Sequence, residues 1–326
     1  MRGLATDAGK PLTAGATEAL IVSDMDEPTN IEKPRIGAIA PWAGAKRTLA
    51  PLIVEELGPH RCYHEPFCGS MAVLLVKPEC HMEVVNDLHG DLINLAFIIQ
   101  DARLGPALYR RLRRVLFAAD LFAAAARWMA TAPPFSAGPD AERAFHFFIV
   151  CWMGRNGTAG TPTFNRHFCA RFTYGGGNPA VRFAGAVDSI PAFRRRLRRV
   201  AIYQMDAFDL IARIADEQGT VIYCDPPYIK KGFRYKHEFA ETDHRRLAEA
   251  LRRFKRTRVV VSYYKHPMLD DLYPGWTRRD LECLKRLGLA VSRGSRANDA
   301  PEVLLINGPS LAVAREPSLL ESVTDD

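Results

Sequence analysis

The chain has 326 residues, of which 48% are hydrophobic and 25% charged, and its formal net charge is +7 at pH 7. That length suits one α/β domain with a smaller second unit, no apolar run approaches the ~20 residues a membrane-spanning helix needs, and the basic balance favours a phosphate-rich partner. The 7 cysteines are odd in number and scattered, with no Cys-x-x-Cys pair and no secretory segment before them, which argues for a reducing compartment and against zinc. His81, His146, His167 and His237 are equally dispersed. A soluble, cytoplasmic protein without a metal requirement is expected.

Residues 1–33 mix Gly, Ala, Thr, Ser and acids without a sustained period, which predicts a disordered leader. They lack the continuous apolar stretch of a secretory signal. Pro41-Trp42-Ala43-Gly44-Ala45-Lys46 precedes a helical pattern, and apolar runs at 61–67 and 82–86 predict the first two strands. The first closes on Glu65-Pro66-Phe67-Cys68-Gly69-Ser70, the second on Asp87. A glycine turn after one strand and an acid after the next is how nucleotide-like ligands are held, with Asp87 on ribose hydroxyls. A lone Phe-x-Gly turn is more often a plain strand-to-helix connection, so the conjunction carries the reading.

From about 97 to 195 the strand-helix alternation breaks. The first half is rich in Ala and Arg and reads as helical; the second is dense in Gly, aromatic and polar residues and reads as a recognition loop. Arginines cluster at 110–114, 194–199 and 252–256. Each cluster is spread around a helix and can be a solvated face, while their sum supports contact with a phosphate backbone and an affinity that falls steeply with salt. Strands resume at 200–205, 220–224, 258–263 and 302–306, with a helix over 242–251 that Thr242 or Asp243 would cap. Strands alternating with helices imply a mostly parallel sheet. The predicted organisation is a core of 34–96 and 196–307, an insertion of 97–195 and a disordered tail of 308–326.

The most informative block is Asp225-Pro226-Pro227-Tyr228, directly after the apolar run Val221-Ile222-Tyr223-Cys224. Two prolines donate no backbone hydrogen bond and fix φ, so the strand ladder stops and leaves a rigid rim of carbonyl acceptors. Asp225 adds a carboxylate and Tyr228 a flat aromatic face. An exocyclic amine on a nucleobase is a poor nucleophile because its lone pair is delocalised into the ring. Acceptors that bind its N–H groups localise that pair on nitrogen, and an aromatic face holds a base drawn out of its stack. A proline-rich strand-to-loop turn is the bland alternative. Lys230, Lys231 and Arg234 follow, interleaved with Tyr235, His237 and Phe239, as suits a displaced strand or an anchored surface loop.

Together these blocks resemble the Dam-like (D12 class) DNA adenine N6-methyltransferases over roughly residues 36–307. The resemblance implies a Rossmann-like class I methyltransferase sheet, S-adenosylmethionine as cofactor and a mostly helical target-recognition insertion. It places the family's Trp-Ala-Gly-Gly-Lys block on Trp42, Gly44 and Lys46, its Glu-Pro-Phe-x-Gly block on Glu65, Pro66, Phe67 and Gly69, and its next acidic block on Asp87, Asp91 and Leu92. Asp206 would meet the cofactor's adenine, and Asp225, Pro226, Pro227 and Tyr228 would carry catalysis. Cys151 to Phe164-Asn165 resembles the recognition landmarks, which makes Arg155 and Asn156 base or phosphate contacts or residues that hold the loop together. The chain departs from the pattern at Met71, where a second glycine is usual and a side chain would narrow the approach to the methionine moiety. It also departs at Ala45, and at His89 in place of asparagine.

The implied activity is methyl transfer to N6 of a flipped adenine in duplex DNA at a specific site, by a monomer, with a cognate restriction endonuclease as a possible partner. N4-cytosine methylation and a non-catalytic DNA-binding protein on the same scaffold are the alternatives.

Overall fold

A computed structural model describes residues 37–42, 44, 46–136, 138–155, 167–170, 177–229, 239–281 and 302–312. The first elements among the described residues are helix α1 (Ala50–Leu57), strand β1 (Cys62–Glu65), helix α2 (Ala72–Val76) and strand β2 (Met82–Asn86). Among the described residues, six helices then separate β2 from the next strand: α3 (Gly90–Gln100), α4 (Leu104–Leu112), α5 (Ala119–Thr131), α6 (Ala141–Met153), α7 (Pro179–Asp188) and α8 (Ile190–Leu197). Alternation resumes with β3 (Val200–Tyr203), α9 (Ala207–Arg213), β4 (Thr220–Cys224), α10 (Glu241–Arg252), β5 (Arg258–Tyr264) and α11 (Met268–Leu272), and ends in β6 (Thr277–Asp280) and β7 (Glu302–Ile306).

The strands form one seven-stranded mixed sheet in the order β3-β2-β1-β4-β5-β7-β6. The first five are parallel to their neighbours, and β7 runs antiparallel between β5 and β6. Strands buried on both faces read as continuous apolar runs, which is why Thr220–Cys224 is buried at every position. Side chains alternate across the sheet. Tyr63, Val85, Tyr223, Val260 and Leu304 therefore face one core, shared with α1, α3 and α6, while Ile222, Cys224, Val259, Val261 and Leu305 face another, lined by α9, α10 and α11.

The helices between β2 and β3 are tied into the first core. Phe147, Phe148 and Trp152 of α6 are fully buried there, and Trp152 Nε1 donates to the Ile39 carbonyl at 3.2 Å. Across α3 and α6, Asn94 Nδ2 donates to the Asp140 carbonyl and Asn94 Oδ1 accepts from Asp140 N, each at 2.8 Å. Arg143 is ion-paired with Asp91 beside them.

Three details depart from the sequence reading. Strand β6 was not expected, because Thr-Arg-Arg-Asp at a sheet edge has no apolar run and only alternates half-buried with exposed. Helix α10 starts one residue earlier than expected, with Ala240 as N-cap and Asp243 at the third helical position accepting from Ala240 N at 2.8 Å. The β1 and β3 ladders stop at Glu65 and Tyr203, short of 67 and 205. Among the described residues no helix is long and apolar enough to cross a membrane.

Candidate active site

Strand order reverses between β1 and β4, since the chain winds from β1 through β2 to β3 on one side and from β4 to β5 on the other. In open α/β sheets the crevice beyond the carboxyl ends of the strands at such a reversal is where ligands bind. All eight positions expected to contact a cofactor line one cavity there: Trp42, Gly44, Lys46, Glu65, Phe67, Gly69, Asp87 and Asp206. Asp225 and Pro227 open onto the same cavity, whereas Pro226 and Tyr228 are buried and do not line it.

The turn after β1 is built for close approach. Gly69 has φ of 45°, and a Cβ there would sit 3.2 Å from Trp42 Cδ1. Gly69 N donates to Asp87 Oδ2 at 2.8 Å and His89 N donates to Asp87 Oδ1 at 2.9 Å, so Asp87 fastens both loops while lining the cavity. Asn86, just before it, was read only as the end of a strand. Its side chain donates to the carbonyls of Pro66 and Met205, both at 3.0 Å, and accepts from Met205 N at 2.9 Å, stapling the ends of β1, β2 and β3 together. Asp206 Oδ1 caps α9 by accepting from Phe208 N at 2.8 Å.

Met71 does not narrow the cavity. It is fully buried in the first core and has φ of 60°, the only positive φ outside glycine among the described residues. The left-handed conformation accounts for a glycine preference at this turn, but the side chain points into packing.

The other side of the cavity gathers polar groups at the end of one sheet face. Lys46, 5% exposed, lies 2.8 Å from Asp225 Oδ2 and 3.9 Å from Glu302 Oε2. Its Nζ also donates to the Gly44 carbonyl at 2.8 Å and sits 4.8 Å from the centre of the Tyr228 ring. Tyr228 meets Tyr264 edge-on at 4.6 Å between centroids. Glu65 is buried, and among the described residues Oε2 has no hydrogen-bond partner. Desolvation, with the charge of Asp225 adding to it, pushes its carboxyl up to about 8. A second sub-region is aromatic: Phe208 and Phe239 stack at 6.0 Å, and Arg246 lies 3.9 Å from the Phe208 ring centre.

Arg155 stands at the base of the expected recognition loop, where its backbone N donates to the His167 carbonyl at 3.0 Å and Gly154 bridges Phe168. Asn156, Lys230, Lys231 and Arg234 lie outside the described residues. Among the described residues there is no cluster of three or more His, Cys, Asp or Glu able to hold a metal.

A family model described as D12 class N6 adenine-specific DNA methyltransferase matches residues 42–282. The chain is also similar to the retron Ec67 DNA adenine methylase of Escherichia coli, with 26% identity over 288 residues that cover 87% of this chain and 95% of that protein.

Proposed function

We propose, from the premise that the chain belongs to the D12 class N6 adenine-specific DNA methyltransferase family, that the cavity at the β1/β4 reversal holds S-adenosylmethionine and that the rim from Asp225 to Tyr228 receives the target adenine. The enzyme is an adenine-specific DNA methyltransferase. In this reading the sheet is a Rossmann-like class I methyltransferase sheet, and the helices and loops of 97–195 form its target-recognition insertion. The strand order with its antiparallel β7 supports the first part.

The donor set of the cavity fits such a cofactor. A flat ring, a diol and a cationic tail call for aromatic faces, carboxylates and a buried anion, and the cavity offers Phe67 and Phe208, Asp87 and Asp206, and the buried carboxyl of Glu65. S-adenosylmethionine supplies an electrophilic methyl group on a cationic sulfur. Trp42 and the Gly69 turn would border the cofactor's methionine end, and Lys46 would be available to its carboxylate. The burial of Glu65 favours its neutral form, and a cation beside it would draw off the proton.

Asp225 and the Pro226 carbonyl would accept from the exocyclic amine of a base turned out of the duplex, while Tyr228 and its aromatic neighbours bound the pocket. These acceptors localise the nitrogen lone pair before reaction and face the positive charge that grows on that nitrogen as it is methylated. They are set in advance, so most of the rate comes from orientation and electrostatics, with no covalent enzyme intermediate. The presence of every proposed site motif in one chain supports turnover by a monomer. The observation that carries the reading is the placement of Asp225 on the same cavity as Asp87 and Asp206.

Incubation with unmethylated genomic DNA and labelled S-adenosylmethionine, followed by nucleoside mass spectrometry and mapping, tests it. N6-methyladenine at a short recurrent sequence is expected. N4-methylcytosine as the sole product, or calorimetry showing no S-adenosylmethionine binding, would overturn it.

A further inference from the structure

Asp225 is held from behind by a buried chain of two hydroxyls. The β4/β5 register pairs Cys224 with Val261, so the next residues, Asp225 and Ser262, lie side by side where the β4 ladder stops at the prolines. Tyr223, two residues before Asp225, points to the same face of the sheet. Ser262 Oγ donates to Asp225 Oδ1 at 2.9 Å, and the Tyr223 hydroxyl lies 2.9 Å from Ser262 Oγ.

The direction of this chain is fixed by its donors. A serine hydroxyl has one proton, and an ionised carboxylate only accepts. With that proton given to Asp225, Ser262 Oγ accepts from Tyr223. Burial and the charge of Asp225 raise the Tyr223 hydroxyl well above its ordinary value, which keeps it a donor. Ser262 is fully buried and Tyr223 nearly so, which shields both bonds from competing water. The second carboxylate oxygen, Oδ2, meets Lys46 at the cavity. One oxygen is therefore fixed by the sheet, and the other is presented to whatever enters.

We infer that Ser262 and Tyr223 are positioning residues for methyl transfer, acting as a relay that fixes the orientation of Asp225 toward the target amine. The inference rests on Asp225 being the amine's acceptor. Ser262 does not line the cavity, so its effect falls on the chemical step and not on cofactor affinity, whereas Tyr223 borders the cavity from the sheet. A wrongly turned carboxylate still binds, but it no longer meets the amine along a productive line.

The test is single-turnover methylation by the full chain with Ser262→Ala, Tyr223→Phe, the double variant and Asp225→Asn, with S-adenosylmethionine and DNA dissociation constants and thermal unfolding measured alongside. Ser262→Ala should slow methyl transfer by roughly tenfold to a hundredfold, as expected for a lost hydrogen bond to a charged group, with both dissociation constants within about twofold of wild type. Tyr223→Phe, which keeps the packed ring, should cost about two- to tenfold alone and nothing further in the Ser262→Ala background, because its route to Asp225 is already cut. Wild-type rates in Ser262→Ala, with Asp225→Asn inactive, would overturn the relay. Equal losses from Tyr223→Phe in both backgrounds would overturn it too. An active Asp225→Asn would instead remove the acceptor reading on which the relay stands.

Discussion

The two sides of the cavity are held by different kinds of bond. On the side of β1, β2 and β3, carboxylates and an amide are fastened to backbone: Asp87 to Gly69 N and His89 N, Asp206 to Phe208 N, and Asn86 to the Pro66 carbonyl and to both backbone groups of Met205. On the side of β4, β5 and β7, Asp225 is held by the side chains of Lys46 and Ser262. Asp87 and Asn86 each hold two or more backbone bonds that must break together, whereas a flexible lysine can rotate off a carboxylate. The first side is therefore suited to a ligand held the same way in every cycle, and the second to a group that must displace a resident partner as it enters.

The sharpest way to break this comparison is Asp225→Asn. It keeps size and removes charge where positive charge grows, so methyl transfer should fall by roughly a hundred- to a thousandfold. The S-adenosylmethionine dissociation constant, measured by calorimetry, should hardly change. An equal loss in cofactor affinity would show that the two sides are not separable.

Asn86→Ala attacks the other side. It removes three hydrogen bonds and strands the Pro66 and Met205 groups they satisfied, so the expected loss of stability is about 2–4 kcal/mol in urea unfolding. Cofactor affinity should fall with it, since the loops carrying Gly69 and Asp206 lose their staple. An unchanged affinity would mean that those loops are set without Asn86.

Much of the sheet was legible because β1 to β5 and β7 are written as apolar runs, nearly fully buried in β4, β5 and β7 and kept even in the half-exposed edge strand β3. Strand β6 is edge-placed and polar, so the same rule could not find it. The site was legible where chemistry needs a particular residue type, as at Asp225 and Asp87. It was not legible where an ordinary residue is recruited by geometry: Ser262 is one strand position among seven, and only the register beside Asp225 gives it a partner. Asn86 likewise has no local signal, because its partners at Met205 lie 119 residues away in sequence.

Glu65 gives the comparison a pH signature. Its carboxyl stands at about 8 in the fold against an ordinary 4.5, so between those values the folded chain keeps a proton that the unfolded chain has lost. The stabilising contribution is full below the lower value and drains away as pH rises through the upper one, by at most about 1.4 kcal/mol per pH unit. Glu65→Gln should flatten that decline in urea midpoints taken at about pH 5, 7 and 9. A variant that declines as steeply as the wild type would place the proton elsewhere.

The smallest difference, and the one most particular to this chain, is between two substitutions at Met71. At most buried positions glycine is worse than alanine by roughly 0.5–1 kcal/mol, because it has more backbone freedom to lose. Met71 has φ of 60°, where any Cβ crowds the following carbonyl at a cost of about 1–2 kcal/mol and glycine has no such penalty. Both Met71→Ala and Met71→Gly open the same void in the first core, so both should be less stable than wild type by about 2–5 kcal/mol less any strain released. Their order should be reversed from the usual one, with Met71→Gly the more stable by about 1 kcal/mol. Neither should alter cofactor affinity, since the side chain faces the core and not the cavity. Urea unfolding of the pair decides it: alanine ranking above glycine would show that the turn relaxes out of the left-handed region once the methionine side chain no longer anchors it.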